Sequence, residues 1–342
     1  MQAVQLGDNC GLRVSRLCLG TMNFGEPGRG HQGDWTLGTD DARPIFEKAL
    51  ESGLFTFDCA DIYGIGASEK VVGALLRELA RREDYVLTTK VSFPMGRGAN
   101  SGGLSRKHIR EGVEASLKRL GVEYIDQLVI HRHPHAVPGQ AIVPVEETLE
   151  ALHDLVREGK VLYLGASSMF AWQFAELQLT AEANGWTPFV SMQNHYNLIY
   201  REEEREMIPY CAQSGVAVMP WSPLARGILA GSYKGGFDSG STDRSKGGDR
   251  QRTESLYRGE ADFAIADRVV ETAEKYGVKP AQIAIAWLLS KPEITAPVVG
   301  VSKVSQLEGL VAATEIQLDP ADVDYLEELY RPVENLLSLG AS

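Results

Sequence analysis

Eight short, apolar, β-favouring runs recur along the 342 residues, and amphipathic helical periods lie between them. The runs are RLCLG (16–20), FTFDCA (55–60), YVLTTK (85–90), IDQLVIH (125–131), VLYLGAS (161–167), FVSMQN (189–194), AVMPWS (217–222) and APVVG (296–300). In SRKHIREGVEASLKRLG, Ile109, Val113, Leu117 and Leu120 recur every three or four residues, and Gly121 stops the helix. VPVEETLEALHDLVREGK repeats the pattern with Val145, Leu149, Leu152 and Val156. Strands that are apolar throughout, rather than alternating, belong to a parallel sheet covered on both faces. Eight such β/α units predict an α/β fold, a single (β/α)8 TIM barrel over 1–342 with its active site at the C-terminal strand ends. An open doubly wound sheet is the runner-up.

Two segments break the rhythm: 24–40, a Gly-rich loop after the first run, and 231–259, a longer polar loop after the seventh. A loop as long as the second, inside one domain, reads as a flexible flap over a ligand. The net charge of −12 argues against a nucleic-acid partner, which needs a basic face. The longest apolar runs, such as IAIAWLL (283–289), are too short for a membrane span, and the N-terminus lacks a signal-peptide pattern. Cys10, Cys18, Cys59 and Cys211 have no CxxC spacing and read as free thiols of a cytoplasmic protein.

In such a barrel chemistry sits where the strands end. The second run ends in Asp58, with Tyr63 on the next loop; the third ends in Lys90 and the fourth in His131. The fifth gives Ser167 and Ser168, the sixth Gln193 and Asn194, the seventh Trp221 and Ser222, the eighth Gly300 and Ser302. A tyrosine can protonate a developing alkoxide if an ammonium stabilises its phenolate. Lys90 suits that role, with Asp58 orienting it and a neutral His131 at the carbonyl oxygen. Trp221 can stack on a flat ring, and Gln193 with Ser167 or Ser168 can bond a carboxamide. A flat ring carrying a carboxamide is a nicotinamide. The helix start within VVGVSKVSQLEGL, with Ser302, Lys303 and Gln306, suits a phosphate.

Together these residues resemble the aldo-keto reductases, over about residues 10–330. FDCADIYG resembles the family's Asp-to-Tyr segment, TTKV its lysine strand, and LVIHRH its histidine strand. LGASSM, VSMQNHYNLIYREEEREMIP and MPWSPLARGIL resemble its nicotinamide side, and VVGVSKVSQLEGL its adenosine-phosphate side. The branch containing bacterial reductases and potassium-channel β-subunits is the most similar. The resemblance implies a catalytic tetrad of Asp58, Tyr63, Lys90 and His131. It implies NADPH held by Ser167, Ser168, Gln193, Trp221, Ser222, Leu224, Arg226, Gly227, Gly300, Ser302 and Gln306, with Lys234, Arg244 and Lys303 at its 2′-phosphate. The reaction implied is interconversion of a small aldehyde or ketone with its alcohol. Thr21, Met22, Phe24 and Trp35 are expected to shape the substrate pocket. Ser168 stands where the family usually has asparagine, and Gly309–Leu310 where many members have Glu-Asn.

Two rivals remain. HRHPH (131–135), with His195 after the sixth run, would suit a metal-dependent hydrolase, but that family carries HxH on its first strand and an aspartate at the end of its eighth. A sensor that holds NADPH without useful turnover is the other. Asp61 reads as a turn residue, and strand alternation points Cys59 away from the barrel interior.

Overall fold

The computed structural model describes residues 1–30, 33, 35–136, 142–233, 236–237, 249–257 and 260–332. An antiparallel hairpin, β1 (Ala3–Gln5) with β2 (Arg13–Ser15), precedes the barrel strands. These are β3 (Cys18–Gly20), β4 (Thr56–Asp58), β5 (Val86–Val91), β6 (Ile125–Ile130), β7 (Val161–Ser167), β8 (Phe189–Gln193), β9 (Ala217–Val218) and β10 (Val298–Val299). They pair in parallel in the order β10-β3-β4-β5-β6-β7-β8-β9. The last gap closes where the Thr295 N–H donates to the Val218 carbonyl at 2.9 Å, and the Val298 N–H to Pro220, also at 2.9 Å. This is a (β/α)8 barrel.

The helices follow the apolar period. Helix Arg106–Leu120 buries Ile109, Val113, Leu117 and Leu120; Ser105 caps it by accepting from the His108 N–H at 3.3 Å, and Gly121 ends it at φ +67°. Helix Val145–Arg157 buries Val145, Leu149 and Leu152, but Leu155 rather than Val156 takes the last core position.

Successive strand residues point alternately inward and outward. Outward side chains such as Phe57 and Leu87 join the helices in one large apolar core. A smaller core of Leu6, Val14, Cys18, Val86, Val190, Ala217, Met219, Ala296 and Val298 fills the barrel floor, and the hairpin supplies its Leu6 and Val14. Above it lies a polar layer in which Gln127 Nε2 donates to Ser191 Oγ at 2.8 Å. Gly165 leaves room there, since a Cβ would sit 2.7 Å from Ser191 Oγ and 2.9 Å from a Val129 methyl. The next inward layer, at the C-terminal mouth, carries the charges.

Part of 231–259, expected as a loop, is helical: Asp249–Leu256 forms a helix, and another begins at Glu260. Lys234 and Arg244 lie outside the described residues.

Candidate active site

Parallel pairing sets Asp58 of β4 beside Thr88 of β5, and Lys90 follows two residues on, facing the same way. The Lys90 and Asp58 side chains are only 2% and 3% exposed. The Lys90 ammonium donates to Asp58 Oδ2 at 2.5 Å, to the Cys59 carbonyl at 2.8 Å and to the Tyr63 hydroxyl at 3.3 Å. The other Asp58 oxygen, Oδ1, accepts from Gln193 Nε2 at 2.8 Å. An ion pair this buried is tolerable only when its remaining hydrogen-bonding capacity is met, as it is here.

The fourth member arrives by extension of the β5–β6 ladder: the His131 N–H donates to the Val91 carbonyl at 3.0 Å. Its imidazole lies 6.0 Å from the Tyr63 ring and 5.0 Å from Phe93, both edge-on, and its buried Nδ1 has no hydrogen-bond partner. Burial, then the charges of Lys90, Arg132 and Arg252, hold His131 well below the usual histidine range, so the ring is neutral.

Burial lowers the Lys90 ammonium, but the charge of Asp58, Tyr63 and the bond to Asp58 together raise it above its ordinary value. At Tyr63 several influences compete, and Lys90 acts in the expected direction. Burial raises the phenol, Lys90 lowers it and Asp58 raises it again, leaving it above its ordinary value. The carboxylate beside Lys90 opposes the pull that the ammonium exerts on Tyr63, and burial is the larger reason the phenol stays high.

A second cluster stands beside this one. Ser167 Oγ donates to the Gln193 carbonyl at 2.9 Å, and the Ser168 N–H lies within bonding distance of that carbonyl (3.1 Å) and of Asn194 Oδ1 (3.2 Å). Trp221 Nε1 donates to Ser168 Oγ at 3.0 Å. One face of the Trp221 indole is covered by His195, at 4.3 Å and 7° between planes, and Tyr200 stacks on His195 at 4.2 Å. His195 Nε2 pairs with the Tyr257 hydroxyl at 2.6 Å. Among the described residues, the non-glycine positions with positive φ are Ile65, Ser168, Ser222, Ala225 and Arg226, all on segments that follow barrel strands. Backbone strain of this kind collects at functional sites.

Comparison with known proteins decides what kind of mouth this is. The model of the aldo/keto reductase family matches residues 16–331. A putative aryl-alcohol dehydrogenase of Schizosaccharomyces pombe is 45% identical, over 95% of each chain. Versiconal hemiacetal acetate reductase of Aspergillus parasiticus is 43% identical, over 97% of this chain and 98% of its own. A putative aryl-alcohol dehydrogenase of Saccharomyces cerevisiae is 38% identical, over 97% and 98%. This chain belongs to the aldo/keto reductase family. It is an oxidoreductase, and its family works with a nicotinamide cofactor.

Against that family, the other expected residues of the reductase fall as follows. Gln193 is bonded to Asp58, so its amide nitrogen serves the charge pair rather than standing free for a carboxamide. Leu224, Arg226 and Gly227 lie on the turn after Ser222, where Arg226 Nε donates to Thr253 Oγ1 at 3.1 Å. Gly300 is exposed beyond β10. Ser302 and Lys303 precede helix Val304–Ala313, and Gln306 Oε1 accepts their N–H groups at 2.8 and 3.2 Å, so these amides are self-capped here. Met22 and Trp35 are half-buried on the segment after β3. Phe24 is a correction: it is wholly buried in the helix-side core, 5.3 Å from Phe46, and does not line the mouth. The three HRHPH histidines do not share one site: His131 faces Tyr63, whereas His133 packs against Trp172 and His135.

Sequence reading missed His195, Tyr200 and Tyr257 as supports of Trp221. It also missed how deeply Asp61 is buried. Both Asp61 carboxylate oxygens are buried without a partner, and burial followed by Glu69 raises the group well above the usual carboxylate range. Cys59 lies in the helix-side core, its thiol pushed up to about 12 by burial, and so is unreactive.

Proposed function

We propose that this reductase interconverts small aldehydes or ketones and their alcohols with NADPH, Tyr63 exchanging the proton. The observation that carries the reading is Lys90, which bridges Asp58 and the Tyr63 hydroxyl inside the mouth. The residues suit the cofactor. Trp221 has one face backed by His195 and its edge held by Ser168, which leaves its opposite face to stack a flat ring. Ser167 and Ser168 bring hydroxyls beside it, and Lys303 is an exposed cation at a helix start for the 2′-phosphate. Held there, NADPH would supply the hydride for the carbonyl carbon.

The chain's own groups handle the proton. His131, neutral and with a free ring nitrogen, orients the carbonyl oxygen. Tyr63 gives its proton to that oxygen as negative charge develops there. Lys90 then stabilises the phenolate left behind, and Asp58, gripped by Gln193, fixes the ammonium. The four free cysteines fit a reducing compartment, and we place the enzyme in the cytosol.

The pH dependence tests this division of labour. A raised Tyr63 stays protonated, and a lowered His131 stays neutral, across the interval between their ordinary values, about 6.5 and about 10. Reduction measured as kcat/KM is therefore expected to be level across that interval. Alcohol oxidation, which needs Tyr63 as the base, should rise with pH throughout. Reduction that falls in step with pH from neutrality would contradict the assignment.

A further inference from the structure

None of these steps uses Arg132, the residue after His131. Its guanidinium lies over the Phe93 ring, 5.3 Å from the centroid, and Phe93 in turn meets the His131 imidazole at 5.0 Å. Tyr63, His131, Phe93 and Arg132 thus form a row leading outward from the catalytic hydroxyl. Arg132 is partly buried, yet its one hydrogen bond among the described residues goes to the carbonyl of His131 at 2.7 Å. The other guanidinium donors have no partner there, and no carboxylate pairs with the group.

That is unusual in this molecule. Of the other partly buried arginines, Arg82 pairs with Asp126, Arg119 with Glu69, and Arg201 with Glu204 and Glu327. Arg16 spends its donors on the carbonyls of Leu289, Ile294 and Thr295. The chain is acidic, yet among the described residues it places no carboxylate against Arg132. It adds a second cation instead. Arg252, exposed on helix Asp249–Leu256, is close enough that its charge disfavours both the Arg132 guanidinium and a protonated His131. Two like charges beside a neutral histidine form an electrostatic well for an anion. The guanidinium's planar fork is shaped to hold two oxyanion oxygens at once.

We propose that Arg132 is the anion subsite of the substrate pocket, and that the preferred carbonyl substrate carries a carboxylate or similar oxyanion about one aryl ring away from the carbonyl. This rests on the carbonyl-reductase reading of the same site. Arg132 would grip the anion while Phe93 packs along the spacer and His131 meets the carbonyl.

The test compares 4-formylbenzoate with its methyl ester, which keeps the size and removes the charge, each with NADPH. Wild-type kcat/KM is expected to favour the carboxylate by about tenfold or more, a charge-assisted pair's worth of discrimination. In Arg132→Met, which keeps the stem over Phe93, the carboxylate-to-ester ratio should collapse to about one, chiefly through KM. Arg132→Lys should restore part of it. A 4-formylphenyl phosphate arm separates the anion types: if it outranks the carboxylate, the subsite is built for a phosphoryl group, and if not, for a carboxylate. A wild-type ratio near one, or a ratio that Arg132→Met leaves unchanged, overturns the proposal. If neither aldehyde is reduced, the reductase reading fails by itself, and calorimetric binding of terephthalate still decides the subsite. Binding weakened in Arg132→Met supports it; equal or absent binding in both proteins overturns it.

Discussion

Tyr63→Phe is expected to lower carbonyl reduction by at least about a thousandfold, within the range that a positioned general acid contributes. The Tyr63 hydroxyl is a proton donor held in the mouth, with the Lys90 ammonium 3.3 Å behind it. Phenylalanine keeps the ring, and with it the edge-on contact to His131 at 6.0 Å, so the packing survives. NADPH affinity should therefore change by no more than about twofold, since the proposed ring platform is Trp221. Turnover and affinity measured on the same preparation check this. Turnover within about tenfold of wild type would remove Tyr63 from the chemistry, and a parallel loss of NADPH binding would make its role structural.

Lys90→Met should fail twice, in activity and in stability. Removing the ammonium leaves the Asp58 carboxylate almost fully buried with only Gln193 to bond it. Breaking a buried pair from one side costs about 3–5 kcal/mol. Turnover should also fall by orders of magnitude, because the Tyr63 phenolate loses its counter-charge. The double variant Asp58→Asn, Lys90→Met separates the two effects. With no uncompensated charge left, most of the stability should return while the activity stays lost. Denaturant midpoints and steady-state rates on both variants make the comparison. A double variant as unstable as the single one would show that the charge imbalance is not the cause.

The barrel was legible because its strands are continuous apolar runs, and a run buried on both faces carries its own signature. β9 shows the limit. AVMPWS reads as a strand over 217–222, but only Ala217–Val218 pairs as one. Pro220 has no N–H to donate; it contributes only its carbonyl, accepting from Val298 to close the ring. The hairpin over Ala3–Ser15 carries little sequence signal because its two strands are three residues each.

In the site, Asp58, Tyr63, Lys90 and His131 could be named because strand ends can be read from local sequence. What they bond could not. Gln193 reaches Asp58 from 135 positions away, and Tyr257 reaches His195 from 62, contacts that no periodicity encodes. Phe24 misled for the opposite reason. An aromatic after a strand end looks like a pocket wall, but the chain turns it back onto Phe46. Gln306 likewise read as a phosphate ligand, and its side chain serves its own helix start. Arg132 adjoins His131 in sequence, yet its significance lies in having no acidic partner among the described residues, which only the fold reveals.

The most direct measurement is steady-state oxidation of NADPH by the purified protein in the presence of an aromatic aldehyde, with NADH run alongside. Sustained turnover, matched by formation of the alcohol and favouring NADPH, is the predicted result. Protein that binds NADPH and leaves it unoxidised with every aldehyde and ketone offered would contradict the account, and the chain would then be a nucleotide-holding relative of these enzymes.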